Sequence, residues 1–154
     1  MELVVVLGLL AVVLAVLVQL NIAFSENISD SRRQVKANAL VVETLEALRI
    51  IKEKRWDDLG DLTLGDLNTD IPYYLSYSEN NRKWLVKTEK PSDIDGLFAV
   101  SFVVREVLRD VVTGRIVSSG GAVDSGSLLA EATVSWTEKN SQKSVEISTY
   151  LTDY

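Results

Sequence analysis

The chain has 154 residues and a formal net charge of −6, and it contains neither histidine nor cysteine. The acidic excess argues against phosphate backbones and anionic lipid surfaces as main ligands, since both select clustered Lys and Arg. Without Cys or His there is no disulfide, no thiolate nucleophile, no Cys-based metal site and no imidazole base, so the composition weighs against an enzyme, and no cofactor or metal is expected.

The first element is MELVVVLGLLAVVLAVLVQL, and from Leu3 to Ser25 no residue carries a charge. As a helix this stretch spans roughly 35 Å, against about 30 Å of bilayer hydrocarbon. A cleavable secretory signal would have a basic leader and an A-x-A-like site, and here Glu2 stands where the basic region belongs. A plain membrane anchor fits the length but gives Glu2 no task. A helix that begins in a membrane and ends inside a helical assembly gives it one. The positive-inside rule does not orient the segment, because Arg32, Arg33 and Lys36 lie well beyond the apolar run.

Polarity rises after Val18, yet neither Pro nor Gly occurs between Gly8 and Gly60, so the helix is expected to continue. Ala37, Val41, Leu45, Leu48 and Ile51 then form one apolar stripe facing a core. Unbroken from Glu2 to Trp56, the helix would reach roughly 80 Å. Three segments are expected: an apolar membrane or filament-core helix at 1–25, the amphipathic half of the same helix at 26–56, and a sheet head domain at 57–154.

The stretch WDDLGDLTLGDLNTDIP, with Gly60, Gly65 and Pro72, reads as an irregular connection. YYLSYSENNRKWLVKTE reads as a hairpin around a turn at Glu79, Asn80, Asn81 and Arg82. In GLFAVSFVVREVLRD, Phe98, Val100, Phe102 and Val104 alternate at period two and mark a strand with one apolar face. TGRIVSSGGAVDSGS reads as a Gly- and Ser-rich crossing loop. The last segment sets Ala130, Ala132, Val134 and Trp136 against Val145, Ile147 and Leu151 across a polar turn at 138–143, a second hairpin. The class is α+β: a long N-terminal helix, its apolar first half projecting and its second half packed on an antiparallel sheet of about four to six strands.

Candidate chemistry is sparse. Asp66, Asn68 and Asp70 open like a calcium loop, but Ile71 and Pro72 stand where a sharp-turn Gly is required; Asp93, Asp95 and Gly96 fail similarly, and turns are the better reading. SGGAVDSGS has no Lys after its glycines and is not a phosphate loop. Tyr73, Tyr74, Tyr77 and Trp84 could form a stacking platform, although aromatics in short strands are more often packing residues. Asp57 and Asp58 are paired carboxylates in a polar loop with no sign of a pocket.

MELVVVLGLLAVVLAVL resembles the N terminus of type IV pilins and pseudopilins, whose mature chains begin with a methylated residue, a few apolar positions, a glutamate and a long apolar helix. TVSWTEKNSQKSVEISTYLTDY is similar to the terminal hairpin of the minor-pilin and pilus-modification branch. The resemblance implies that Glu2 is the assembly glutamate that pairs with the amine of a neighbouring subunit, and that Met1, Glu2, Leu3 and Gly8 form the assembly site. It further implies a filament core built from Val4, Val5, Leu7, Leu10, Val13, Leu14 and Leu17. The partners so implied are identical subunits in a helical filament, the cytoplasmic membrane before assembly, and the pilus assembly machinery. The implied destination is an extracellular filament.

Two departures stand beside it. Only Met1 precedes Glu2, where the family places several residues, so a mature start shifted by about three residues or lying outside this chain is expected. No proline occurs from Val16 to Ile22, where the family commonly has one. The alternatives are a minor pilin or secretion-system pseudopilin that primes a filament, and a membrane-anchored binding module whose helix is only a tether. A role in motility, adhesion, DNA uptake or secretion is not written in these residues.

Overall fold

The computed structural model describes residues 2–54, 70–78 and 82–152. The chain divides into two compact units, Met1–Lys36 and Ala37–Tyr154, and each is taken by itself. One helix, α1 (Glu2–Lys54), supplies the described part of the first unit and opens the second. Its polar middle stays helical because Ser and Asn only weaken a helix, and the Ser29 hydroxyl turns back to donate to the Ser25 carbonyl at 3.0 Å.

In the second unit, Ala37, Val41, Leu45, Leu48 and Ile51 are all buried, as the stripe predicts. Spacings of three and four residues keep these side chains on one face of the helix, where they join a single apolar cluster with the sheet. Thr44 lies on the same face, and its hydroxyl is satisfied locally by donating to the Leu40 carbonyl at 2.8 Å. The exposed side carries the Glu46–Arg49 ion pair.

Among the described residues six strands follow: β1 (Tyr74–Ser78), β2 (Lys83–Lys87), β3 (Ala99–Arg109), β4 (Ile116–Val117), β5 (Ala122–Glu138) and β6 (Ser141–Thr152). All their pairings are antiparallel. They divide into a two-stranded sheet, β1–β2, and a four-stranded sheet ordered β4-β3-β5-β6. The expected hairpin at 73–89 is thus a small sheet of its own. It is tied to the larger one through Tyr73, which exchanges backbone hydrogen bonds of 2.7 and 2.9 Å with Phe102.

Phe98, Phe102 and Val104 are buried and Val100 half-buried, so the period-two reading of this segment holds. Strand β3 itself starts at Ala99, with Phe98 held by a bridge to Ile94. A register shift between Glu106 and Leu108 then transfers the buried position to Val107. Ala130, Ala132, Val134 and Trp136 line the core side of β5, and Val134 faces Val145 and Ala132 faces Ile147. The turn is tighter than the expected 138–143 span: Lys139 and Asn140, both with positive φ, make a two-residue hairpin loop.

Trp136 Nε1 is the buried side-chain donor without a hydrogen-bond partner among the described residues. An unsatisfied donor costs about 1–3 kcal/mol. Burial of an indole, at 150–250 Å² and about 25 cal/mol per Å², stabilises by roughly 4–6 kcal/mol. Packing outweighs the orphan bond, and the ring lies 5.9 Å from that of Phe98.

The Gly- and Ser-rich segment corrects the expectation in part. Only residues 118–121 cross from one side of β3 to the other; Ile116–Val117 is a strand, and β5 begins at Ala122. At the crossing a Cβ on Gly121 would lie 2.6 Å from the Arg109 carbonyl oxygen and 2.8 Å from Val117 Cγ2. Backbone at that distance cannot yield cheaply. Gly121→Ala is therefore expected to destabilise the fold by about 1–3 kcal/mol, read as a lower urea midpoint with unchanged slope.

Candidate assembly surface

An α-helix with apolar residues on every side has no polar face to give to water, and from Leu3 to Val18 this one has no polar side chain at all. From Val6 to Phe24 every Val, Leu, Ile and Phe is 48–63% exposed, so no face of the segment is covered among the described residues. Leu7, Leu10, Val13, Leu14 and Leu17 all belong to this set. Leu3, Val4 and Val5 lie in the first turns of α1, and Met1 lies outside the described residues.

Glu2 is exposed in the first turn of α1. A carboxylate there gains about 0.3–1 kcal/mol from the helix dipole, which supports the helix end but explains nothing about its company of apolar residues. Gly8 is also unexplained from within: no atom would approach an added Cβ within 4 Å, and its φ is not positive. A mid-helix Gly costs about 1 kcal/mol relative to Ala. Nothing among the described residues repays that loss, whereas small residues allow close helix approach in membranes.

No family model, curated protein or solved structure matches the chain significantly. What is established is the architecture: a long N-terminal helix, apolar at its start, and an antiparallel head, an arrangement compatible with a pilin-like subunit. The apolar part is long enough to cross a membrane.

The head brings together residues that sequence reasoning left apart. Between Leu108↔Val123 and Glu106↔Leu128, strand β5 makes an excursion at Asp124–Ser127. It is held by Arg109, whose guanidinium donates to the Asp124 carboxylate, to the Gly114 carbonyl at 3.0 Å and to the Ser127 hydroxyl at 3.4 Å. The Arg109 hydrogen bond, then Ser127 and the Gly126 amide, hold the Asp124 carboxyl below the usual carboxylate range. A depressed native value stabilises the fold above the unfolded-state value and is lost as pH falls through the native one. Asp124→Asn is accordingly expected to lower stability at pH 7 and to flatten the loss of stability on acidification below pH 5, measured by urea unfolding across that range.

The aromatic quartet does not form one platform. Tyr73 is buried, with its ring 5.9 Å from Phe102, while Tyr77 and Trp84 pair edge-on across β1–β2 at 5.3 Å and Tyr74 is half-buried. Asp93, Asp95 and Gly96 form the expected turn, with Asp95 and Gly96 at positive φ and Asp93 paired to Lys90 at 3.0 Å. Asp70 is paired instead with Arg105 on β3, at 2.8 Å. Asp57, Asp58, Asp66, Asn68 and the Glu79–Asn81 turn lie outside the described residues.

Two features had no anticipated role. An apolar cavity of about 180 Å³ is lined by Leu40, Leu75, Trp84, Ile94, Phe98 and Val100, with the exposed Glu43 and Lys90 also in its wall. The β3–β4 turn places Val111 and Val112 almost wholly in solvent, 81% and 92% exposed. DVVTG carried a turn signal in its Asp, Thr and Gly, but nothing in it marked the valines as the tip.

Proposed function

We propose that this chain is a structural subunit of a type IV pilus-like filament. The apolar helix holds the precursor in the cytoplasmic membrane, and then packs against the same helix of identical subunits as the assembly machinery extracts it into an extracellular fibre. The observation that supports this best is the pairing of Glu2 with an all-round apolar helix left uncovered among the described residues. Lipid would satisfy the apolar surface but not the carboxylate; a bundle of like helices with a cation at the neighbour's terminus satisfies both. Gly8 fits the same role, as a point of close helix approach. The reading assigns no reaction to the chain.

The test is to purify surface fibres, reconstruct their helical density and ask whether the core is built from residues 2–25. Abundance along the fibre separates a principal subunit from one that only primes assembly. Exchanging residues 1–25 for an unrelated single-span anchor should abolish function; full function after the exchange would favour a tethered binding module instead.

A further inference from the structure

The β3–β4 turn is built to be rigid. The Asp110 carboxylate accepts from the amides of Val112 and Thr113 at 3.1 and 2.6 Å and from the Thr113 hydroxyl at 2.8 Å. The Gly114 amide donates to the Asp110 carbonyl and the Asp110 amide to the Arg115 carbonyl, each at 2.8 Å. Such a turn needs no apolar residue at its tip, and turn chemistry favours polar ones. Two adjacent β-branched side chains, stiff at χ1, nevertheless stand there in water. A tip already fixed in one conformation loses little entropy on docking.

The cavity lies at the other end of the same strand. Phe98, Ala99 and Val100 line it where β3 begins, and the tip follows Arg109 where β3 ends. At about 3.3 Å per residue the two are separated by roughly 33 Å, so a chain cannot fill its own cavity with its own tip. An apolar cavity of about 150 Å³ accepts benzene. The cavity here, at about 180 Å³, admits the smaller isopropyl group of a valine. The charges also complement: the Asp110 carboxylate is turned into its own turn, which leaves Arg115 as the charge beside the tip, while the cavity wall carries Glu43 and the Lys90–Asp93 pair, one acid in excess.

We propose that the Val111–Val112 tip of one copy docks into the Leu40–Leu75–Trp84–Ile94–Phe98 cavity of the next, with Val112 entering and Val111 covering the mouth. Tip and cavity are different surfaces, so the contact is heterologous and repeats from copy to copy. It deepens the filament reading, on which it rests, by giving the heads a contact of their own. Burial of one such side chain strengthens association by roughly ten- to a hundred-fold.

The absence of native cysteine makes the contact directly testable. Full-length chain carrying both Ile94→Cys and Val112→Cys is oxidised in cells, with parallel electron microscopy of surface fibres. The two positions are too far apart to bridge within one chain, since a disulfide needs Cα atoms within about 7 Å. A ladder of dimers, trimers and higher species from the double variant, with none from either single variant, is the expected result. Adding Val111→Asp should reduce the ladder at least tenfold while leaving the melting temperature of the head unchanged. Fibres without a ladder, or equal cross-linking by the single variants, overturn the docking. A ladder without fibres upholds the docking and overturns the filament reading; neither ladder nor fibres overturns both.

Discussion

Replacing Glu2 with Ala is expected to abolish filaments, or to reduce them sharply, while leaving insertion into the membrane intact. Insertion depends on the length and apolarity of the segment from Leu3 onward, which the substitution does not alter. On the proposed filament reading, assembly depends on what the carboxylate does among apolar helices. Its partner in that proposal is the amine of a neighbouring subunit, and the energetics follow from burial. Removing one member of a buried ion pair costs about 3–5 kcal/mol, because the other charge is left uncompensated in a low-dielectric surrounding. That corresponds to a loss of two to three orders of magnitude or more in each addition step. Fibre counts by electron microscopy, beside fractionation of membranes, check both halves of the prediction. Normal fibres from the Ala variant would refute the role of Glu2. Glu2→Gln isolates the charge from the shape, and is expected to behave like Ala if pairing is the cause.

Phe102→Ala is expected to be the most damaging single truncation in the head. Phe102 is 1% exposed, packs its ring at a tilt against that of Tyr73, and occupies the backbone position through which the β1–β2 sheet is tied to β3. Truncating a buried Phe costs about 3–5 kcal/mol, from lost transfer energy and the cavity left behind. Against the 5–15 kcal/mol that holds an ordinary domain together, this is a large fraction. For a head of this size the melting temperature should fall by roughly 10–25 °C. Circular dichroism of the full chain in detergent reads the change. Val103→Ala is the control: its neighbour position points to the other side of the sheet, where Val103 is only half-buried, and the loss should be smaller. Equal losses at the two positions would mean that the core is not centred on Phe102.

The features legible from sequence share a property: each is a periodicity within one segment. The stripe Ala37, Val41, Leu45, Leu48 and Ile51 repeats at the helical period, and Phe98 to Val104 repeats at the strand period, so the buried face could be assigned before any partner was known. The final hairpin was legible because its two strands are adjacent and their apolar positions match in register. Glu2 is conspicuous in the sequence as a carboxylate beside an uncharged run, and its role belongs to the proposed filament reading. Length and composition alone determine that the run is long and apolar enough to cross a membrane.

The head's remaining organisation depends on pairs far apart in the chain. Asp70 meets Arg105, and Tyr73 meets Phe102, through a sheet arrangement that neither local segment encodes. DSGS looked like a loop because its residues favour turns; Arg109, fifteen residues before Asp124, fixes it as an excursion within β5. Gly121 looked like one more flexible glycine, and its need is steric, set by the Arg109 carbonyl that it crosses. The exposed valines and the apolar cavity were equally silent, since nothing in DVVTG marks its two valines as the tip and the cavity walls come from separate stretches of the chain. Sequence by itself determined the elements and their apolar faces, because side-chain direction along a helix or strand follows from backbone geometry alone. Only the tertiary structure decided which edges pair, which glycine is confined and where an apolar tip meets water, because these depend on distances between residues far apart in the chain.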